Sequence, residues 1–282
     1  MRHFTVDLKN TYPKAFGSSP SAALCAYIPQ ASPEIPITAR PAVLVLPGGG
    51  YGMVSDREGE PLALKLAAEG YCAFVLRYAV APHKYPVQAL QAFAAIDYIR
   101  SNAEQLGVKR GCLAVMGFSA GGHLAGCTAT LYAESEFAGA LGVAPQNLRP
   151  DAVVLCYPVL SAGAATHGAT IQNVSGGDKA LMQKLSLETR VTPDTPPCFM
   201  WHTADDAVVS VQNSLLFASA LSDSKVPFEL HVFERGAHGL SLSNDTVASA
   251  GTRAARPEVA QWFALMLGWL SGRGFELDVN LV

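Results

Sequence analysis

Short apolar runs alternate with amphipathic segments of helical length along most of this chain. The apolar runs predict buried strands at 41–52, 71–78, 112–118, 151–160, 196–203 and 227–234, the first of them ending in a glycine loop. The segments between them predict helices at about 60–70, 86–107, 120–133, 210–222 and 256–271. This alternation is typical of βα units, so we predict an α/β fold with a mostly parallel sheet and helices on both faces.

The predicted topology indicates where a functional site should be. In an open α/β sheet, functional groups gather in the loops that follow the carboxyl ends of the strands. These loops begin near Pro47, Tyr78, Gly117, Val159, His202 and Glu234. We therefore expect a site to be assembled from them.

Length and composition indicate one large domain. The chain has 282 residues, of which 50% are hydrophobic and 15% are charged, so it can bury an extensive core. We expect a single domain over 1–282, with a short lid-like insertion at about 161–195 and a C-terminal tail at about 272–282.

Charge and hydropathy argue against nucleic acid and membranes as partners. The formal net charge is −3, and the 20 Lys and Arg residues are scattered. "MRHFTVDLKNTY" lacks the apolar core of a signal peptide, and "WFALMLGWL" is too short for a membrane span. The six cysteines form no C-x-x-C pair, which favours buried thiols in a reducing compartment. These features predict a cytoplasmic location.

The strongest chemical signal is the sequence GFSAG at 117–121, between a predicted strand and a predicted helix. Glycines on both sides of Ser119 permit a sharp turn that projects its hydroxyl over the sheet edge. The following helix points free N–H groups at the same place, which favours negative charge there. G-x-S-x-G in this context is typical of a nucleophile elbow, so we predict that Ser119 is a nucleophile.

A nucleophilic serine needs a histidine base and a carboxylate that orients the base. In this type of site the chain order is serine, acid, histidine. His231 lies inside a predicted strand, whereas His238 follows that strand between small residues, so we predict His238 as the base. The loop after the strand at 196–203 offers Asp205 and Asp206 as the acid, and local chemistry does not separate them.

Backbone N–H groups must also bind the negative oxygen of the tetrahedral intermediate. One expected donor is Ala120, directly after the nucleophile, and the loop "PGGGYG" is expected to supply the others. The same loop could hold a phosphate instead. The chain has no G-x-x-x-x-G-K and no complete G-x-G-x-x-G, which argues against a nucleotide.

Four segments in sequence order, "VLPGGGY", "GFSAGGHLA", "HTADDAVVSVQNS" and "FERGAHGL", resemble those of serine esterases with the α/β-hydrolase fold. The chain is most similar to the small esterases described as acetylxylan-esterase-like or acyl-sugar esterases, over about 40–270. The resemblance implies the α/β-hydrolase fold and hydrolysis of small acyl esters, in particular acetyl groups on sugars or xylo-oligosaccharides.

The resemblance also selects the acid. The family's acid loop reads like H-G-x-x-D-x-x-V-P, and its histidine and aspartate fall on His202 and Asp206. Thr203 and Ser210 stand where the family has glycine and proline, and neither change removes a catalytic group. We expect His202 to shape the acid loop.

In the glycine loop, the family's oxyanion donors map onto Gly49 and Gly50, although Pro47 stands where lipase-like loops have histidine. Two reactive side chains near the serine are predicted to be structural: His123 as a packed, hydrogen-bonded histidine and Cys127 as a packing residue. The acidic pair in the acid loop has no further ligands at metal-like spacing. We therefore expect no metal and no cofactor.

Together these residues predict a serine carboxylesterase whose partner is a small ester, in particular an acetylated carbohydrate. A broad-specificity short-chain esterase or a thioesterase is the alternative, since thioester hydrolysis and peptide cleavage use the same triad. Peptide cleavage also stays open, although the chain has no room for the gating domain of such peptidases. A ligand receptor on a hydrolase fold is the non-catalytic alternative. Such receptors often lack a triad residue, whereas this chain has all three candidates.

The insertion at about 161–195 is rich in Ser, Thr, Gly and Ala, with one helix-like stretch near 178–188. It offers little apolar surface for a long acyl tunnel, so we expect a shallow site with a polar rim.

The tail "GFELDVNLV" has the period of a half-buried strand, with Phe275, Leu277, Val279 and Leu281 alternating with polar residues. We expect it to pack as an extended segment, either on its own domain or on the second subunit of a homodimer, and a frayed terminus is the alternative.

Overall fold

A computed structural model describes residues 1–249 and 255–280 of the chain. The strands of this part form one sheet. They are β1 (Arg2–Asp7), β2 (Ala23–Ile28), β3 (Ile37–Leu46), β4 (Cys72–Arg77), β5 (Val108–Phe118), β6 (Ala152–Cys156), β7 (Cys198–Thr203), β8 (Phe228–Phe233) and β9 (Asp278–Val279).

The order across the sheet is β1-β2-β4-β3-β5-β6-β7-β8, and β9 pairs with β3. Every neighbouring pair from β4 to β8 is parallel, which confirms the prediction of a mostly parallel α/β sheet. β1 and β2 are antiparallel and were not predicted. β1 is an edge strand with mostly solvent-facing side chains, and alanines dilute the strand signal of β2.

The helices lie between these strands. They are α1 (Leu8–Thr11), α2 (Pro13–Phe16), α3 (Glu60–Ala68), α4 (Val87–Ser101), α5 (Ala103–Leu106), α6 (Ala120–Thr130), α7 (Ser135–Leu141), α8 (Pro145–Leu148), α9 (Gly168–Ser175), α10 (Lys179–Lys184), α11 (Gln212–Asp223), α12 (Pro257–Ala260) and α13 (Trp262–Ser271). The helix predicted at 86–107 is divided into α4 and α5, and Gly107 ends α5 in the left-handed conformation. Across residues 1–249 and 255–280, no helix has both the length and the apolar character needed to cross a membrane.

The hydrophobic core consists of two clusters, one on each face of the sheet. Alternate residues of β3 belong to different clusters: Leu44 and Leu46 to the first, Val43 and Val45 to the second. Helices α4, α6 and α11 pack into the first cluster, and α3 and α13 into the second. Because both faces are covered, the central strands are apolar along most of their length.

The insertion at 161–195 holds more structure than its composition predicted. It contains α9, α10 and a 3₁₀ turn at Leu187–Arg190, whereas the sequence indicated one helix-like stretch near 178–188. Helix α9 is built largely from Gly, Ala, Thr and Ser, which hide its periodicity. Its Ile171 and Val174 are nevertheless buried in the first core cluster.

The turn between β5 and α6 brings α6 against the end of β3. A Cβ atom on Gly121 would overlap the carbonyl oxygens of Leu46 and Pro47. A Cβ atom on Gly117 would likewise overlap the carbonyl oxygen of Gly121. The two glycines of the GFSAG segment are therefore required by close backbone approach.

The C-terminal tail packs on its own chain, one of the alternatives that the sequence left open. Val279 and Asp278 of β9 pair with Ile37 and Ala39 of β3. The side chain of Phe275 is buried and Leu277 is half-buried, but 44% of Val279 is exposed. The expected alternation thus holds only in part, and Leu281 lies outside the described residues.

We predict that Phe275→Ala lowers the free energy of unfolding by about 3 kcal/mol, because it empties a buried aromatic site. Val279→Ala is the matched control and should change it by less than about 0.5 kcal/mol. Urea unfolding of both variants measures the difference. Equal effects would show that the tail contributes no packing energy through Phe275.

We also predict that Gly121→Ala destabilises the protein by at least about 2 kcal/mol, because the backbone of Leu46 and Pro47 or that of α6 must move to admit the methyl group. Gly139, in α7, has no neighbouring atom within 4 Å of an added Cβ. Gly139→Ala should therefore be neutral or stabilising, by up to about 1 kcal/mol. Thermal unfolding compares the two, and a normal Gly121→Ala stability would contradict the close-approach argument.

Candidate active site

Ser119 occupies the tight turn between β5 and α6, at the carboxyl edge of the sheet. Its φ angle of 52° is one that residues other than glycine rarely adopt. Two backbone hydrogen bonds connect the turn to the end of β6 and the loop after it. The Ser119 amide donates to the carbonyl of Cys156 at 3.0 Å, and the Ser119 carbonyl accepts from the amide of Val159 at 3.1 Å. Neighbouring strands and loops therefore compensate the strained conformation.

His238 connects Ser119 to Asp206. Its Nδ1 atom lies 2.7 Å from Oδ2 of Asp206, and its Nε2 atom lies 2.8 Å from Oγ of Ser119. A carboxylate only accepts hydrogen bonds, so Nδ1 carries the proton of neutral His238. Nε2 is then the acceptor that faces the serine hydroxyl, as a general base requires.

The carboxylate of Asp206 is buried and held on all sides by donors. Oδ1 accepts from the amides of Val208 and Val209 at 2.9 and 3.0 Å. Burial by itself raises the pKa of Asp206, but the contacts with His202 and His238 and the amide of Val209 outweigh it. Its pKa therefore lies well below the ordinary value, and the group stays ionised at neutral pH.

The two aspartates of the acid loop have different partners. Asp205 is exposed, and its Oδ1 accepts from the amide of Gly236 at 2.6 Å, so it ties the acid loop to the chain before His238. His202 is fully buried, with Nδ1 2.8 Å from Oγ of Ser214 and Nε2 3.0 Å from the carbonyl of Val209. The prediction that His202 shapes this loop is confirmed.

The glycine loop lies directly beside Ser119. A Cβ atom on Gly48 would be 3.0 Å from Cβ of Ser119. In the part of the chain that the structure describes, the amides of Gly49 and Gly50 donate no hydrogen bond. Ala120 is the first residue of α6, where an amide has no partner within the helix. Three amides predicted as donors are thus unengaged near the serine.

His123 has the structural role that the sequence predicted. Its ring is fully buried, with Nδ1 2.9 Å from the hydroxyl of Tyr51 and Nε2 3.1 Å from the carbonyl of Leu185. Burial lowers the pKa of His123 to about 4, so the ring stays neutral. Cys127 is also buried, and burial raises its pKa, which keeps the thiol protonated.

Polar side chains of α9 and its N-cap lie over the glycine loop. Nδ2 of Asn173 donates to the carbonyl of Gly50 at 2.8 Å. Oγ1 of Thr170 would be 3.8 Å from a Cβ on Gly50, and it lies 2.8 Å from Nδ1 of His167. The insertion therefore packs polar side chains against this side of the site.

The sequence did not single out Glu58 or Tyr157, although both lie against the site. Glu58 ends a 3₁₀ turn (Asp56–Glu58) and is only 4% exposed. Its neighbours in "DREGEP" are charged or helix-breaking, so the segment reads as a solvent-exposed loop. Tyr157 follows β6, and its ring packs against His238 with centroids 5.1 Å apart. Nothing in the local sequence around Glu58, which lies two residues before α3, indicates that its side chain is buried.

No group of three or more His, Cys, Asp or Glu side chains is arranged to hold a metal ion within residues 1–249 and 255–280. The histidines of the site are all engaged with protein partners. Ser119, His238 and Asp206 thus form a hydrogen-bonded series of a potential nucleophile, a base and a carboxylate.

Comparison with known proteins places this architecture in a family. The BD-FAE family model matches residues 27–221, which include Ser119 and Asp206 but end before His238. Endo-1,4-beta-xylanase B of Butyrivibrio fibrisolvens is 40% identical over 219 residues, which are 73% of this chain and 33% of that protein. An acetylxylan esterase of Xylanibacter ruminicola is 27% identical over 209 residues, 71% of this chain and 41% of that protein. The chain thus spans well under half the length of these two relatives.

A solved structure shows the same fold along nearly the whole chain. It is that of an acetyl ester-xyloside bifunctional hydrolase from Caldicellulosiruptor lactoaceticus, with 37% identity, a TM-score of 0.83 and coverage of 97% of both chains. The family match and this likeness lead to one conclusion: the chain belongs to the BD-FAE family and has the α/β-hydrolase fold.

Proposed function

We propose that this chain is a serine esterase that removes small acyl groups, acetyl groups above all, from sugars or xylo-oligosaccharides. The observation that carries the proposal is the hydrogen-bonded series from Ser119 through His238 to Asp206, with steps of 2.8 and 2.7 Å. The esterase names of relatives with the same fold support ester chemistry.

In the proposed first step, Oγ of Ser119 attacks the ester carbonyl while Nε2 of His238 takes its proton. The amides of Gly49, Gly50 and Ala120 receive the negative oxygen of the tetrahedral intermediate. Collapse of the intermediate releases the alcohol, which takes the proton from His238, and leaves an acyl group on Ser119.

In the second step, water gives a proton to His238 and attacks the acyl-enzyme. Collapse of the second intermediate returns the proton to Ser119 and releases the carboxylic acid. Asp206 is ionised throughout because its pKa is strongly depressed. Its negative charge stabilises the imidazolium that forms in both steps, and its hydrogen bond keeps the correct tautomer.

The structure of the insertion supports a small acyl group. Its large apolar side chains are buried in, or packed against, the first core cluster: Ile171, Val174, Leu181, Met182, Leu185, Leu187 and Val191. They are therefore not available to line an acyl tunnel, which needs an extended hydrophobic wall. The surface over the glycine loop is instead polar, which suits a polar alcohol such as a sugar.

We predict that Ser119→Ala lowers kcat by about 10³-fold or more while the protein stays folded. Asp206→Asn should lower kcat by about 10³–10⁴-fold, because the amide cannot hold the required tautomer of His238. Hydrolysis of p-nitrophenyl acetate measures both effects, and circular dichroism checks the fold.

Asp205→Asn is the matched control for the acid. Its side-chain oxygen can still accept the bond from the Gly236 amide, so kcat should stay within about threefold of the unmodified value. If Asp205→Asn were the more damaging substitution, the assignment of Asp206 would be wrong.

We predict that kcat/KM is highest for acetate or propionate esters and falls at least about tenfold by octanoate, because the large apolar side chains of the insertion pack in or against the core and extend no wall for the longer chain. A series of p-nitrophenyl esters measures this, together with acetate release from peracetylated xylose or xylo-oligosaccharides. A maximum at long chains without release from sugars would contradict the proposed substrate class. If the enzyme preferred thioesters of the same acyl groups, the proposed leaving group would be a thiol and not a sugar alcohol.

A further inference from the structure

Glu58 lies between the two loops that carry the proposed catalytic groups. Its Oε2 atom accepts from the amide of Gly48 at 2.7 Å, directly before the two glycines proposed as oxyanion donors. Its Oε1 atom accepts from the hydroxyl of Tyr157 at 2.6 Å. The buried side chain of Glu58 thus accepts one hydrogen bond from the glycine loop and one from Tyr157.

Tyr157 continues this connection to the loop of the base. Its hydroxyl oxygen accepts from the amide of Ser241 at 3.0 Å, three residues after His238. The edge of its ring contacts the imidazole of His238 at an interplanar angle of 73°. The hydroxyl of Ser241 donates in turn to the carbonyl of Arg57 at 2.7 Å, so the 3₁₀ turn and the base loop hold each other.

The hydrogen bonds around Glu58 favour its ionised form. The amide of Gly48 can only donate, and Tyr157 points its proton at Glu58 because its oxygen already accepts from Ser241. A carboxylate accepts at both oxygens, whereas a carboxylic acid would bring a proton against one donor. Burial raises the pKa of Glu58 above its ordinary value, and these two bonds, together with the charges of protonated His238 and of Arg57, oppose part of that rise.

We infer that Glu58, as a buried carboxylate, is a positioning residue that fixes the glycine loop and the base loop relative to each other and stabilises the protonated form of His238. It acts through Gly48 and Tyr157 and touches no substrate atom. The inference rests on the proposed Ser119, His238 and Asp206 mechanism. It adds a second negative charge near the imidazolium, on a side chain that is itself buried.

The other charged and titratable groups of this region are few. His238 faces Asp206 from the acid loop and Tyr157 from the end of β6. The guanidinium of Arg57 donates to the carbonyl of Gly239 at 2.8 Å and so lies next to the base loop. The charge of Arg57 also acts on Glu58 and favours its ionised form. The additional groups around Glu58 are the side chains of Tyr78 and Cys156, and burial raises the pKa of both, so they carry no charge.

The deciding variant is Glu58→Gln, which retains the shape of the side chain and can accept from Gly48 while donating to Tyr157. We expect kcat to fall about tenfold with KM within about twofold, because the imidazolium of the transition state loses a stabilising charge. In the pH profile of kcat, the acid limb should move to lower pH by about half a unit, because protonation of His238 becomes less favourable. A purely structural role would not move the limb.

Two further variants test the positioning role and decide the matter if Glu58→Gln does not fold. Tyr157→Phe keeps the carboxyl group and the ring but removes the connection to Ser241, and Glu58→Asp keeps a carboxyl group but cannot reach both donors. Both should lower kcat about threefold or more. Full activity in either variant would overturn the positioning role.

Asp97 provides a matched control. It is also a buried carboxylate that accepts from a tyrosine, the hydroxyl of Tyr12 at 2.7 Å, but it lies on α4. Asp97→Asn should lower the melting temperature and leave kcat and the acid limb unchanged. The inference is wrong if Glu58→Gln folds with the original kcat and limb, or if Asp97→Asn moves the limb equally.

Ser119→Ala, measured in parallel, separates this inference from the proposed function. If Ser119→Ala retains activity, the proposed mechanism itself fails. If Ser119→Ala is inactive and Glu58→Gln behaves like the unmodified protein, only the role of Glu58 fails.

Discussion

The close approach of α6 to the end of β3 is the constraint on which the site depends. At Gly121 the two backbones leave no space for a Cβ atom, and this contact forces the turn in which Ser119 has a positive φ angle. The same contact brings the first amide of α6 and the glycine loop to one side of the serine. A wider turn would lower the strain but would separate the nucleophile from the amides that are proposed to bind the oxyanion.

Two buried acidic residues lie near the proposed base, one in contact with it and one connected through Tyr157, and their environments differ in a way that matters for chemistry. Asp206 has enough donors to depress its pKa despite burial, so it is a permanent anion in contact with His238. Glu58 has fewer donors, and burial raises its pKa. The first sets the tautomer of the base directly, whereas the second acts through Gly48 and Tyr157. Both lie where low dielectric strengthens electrostatic interactions.

Much of the fold could be predicted because its elements follow local patterns. The strands from β3 to β8 are continuous apolar runs, and the helices between them repeat at helical spacing. The missed elements had weak local signals: β1 is an edge strand with mostly exposed side chains, alanines dilute the strand signal of β2, and half of α9 is Gly, Ala, Thr or Ser. The tail was predicted as an extended segment, but the choice of β3 as its partner depends on pairing across about 240 residues, a contact that periodicity cannot indicate.

By itself, the sequence determined the strand–turn–helix around Ser119 and the position of His238 after a strand, because backbone geometry imposes these patterns within a few residues. Local chemistry left Asp205 and Asp206 equivalent, and only similarity to a family favoured the second. The tertiary structure decided which carboxylate meets His238 and which meets Gly236. It alone placed Glu58 against Gly48 and Tyr157, because the burial of a charge depends on loops that are distant in sequence and converge only when the sheet has formed.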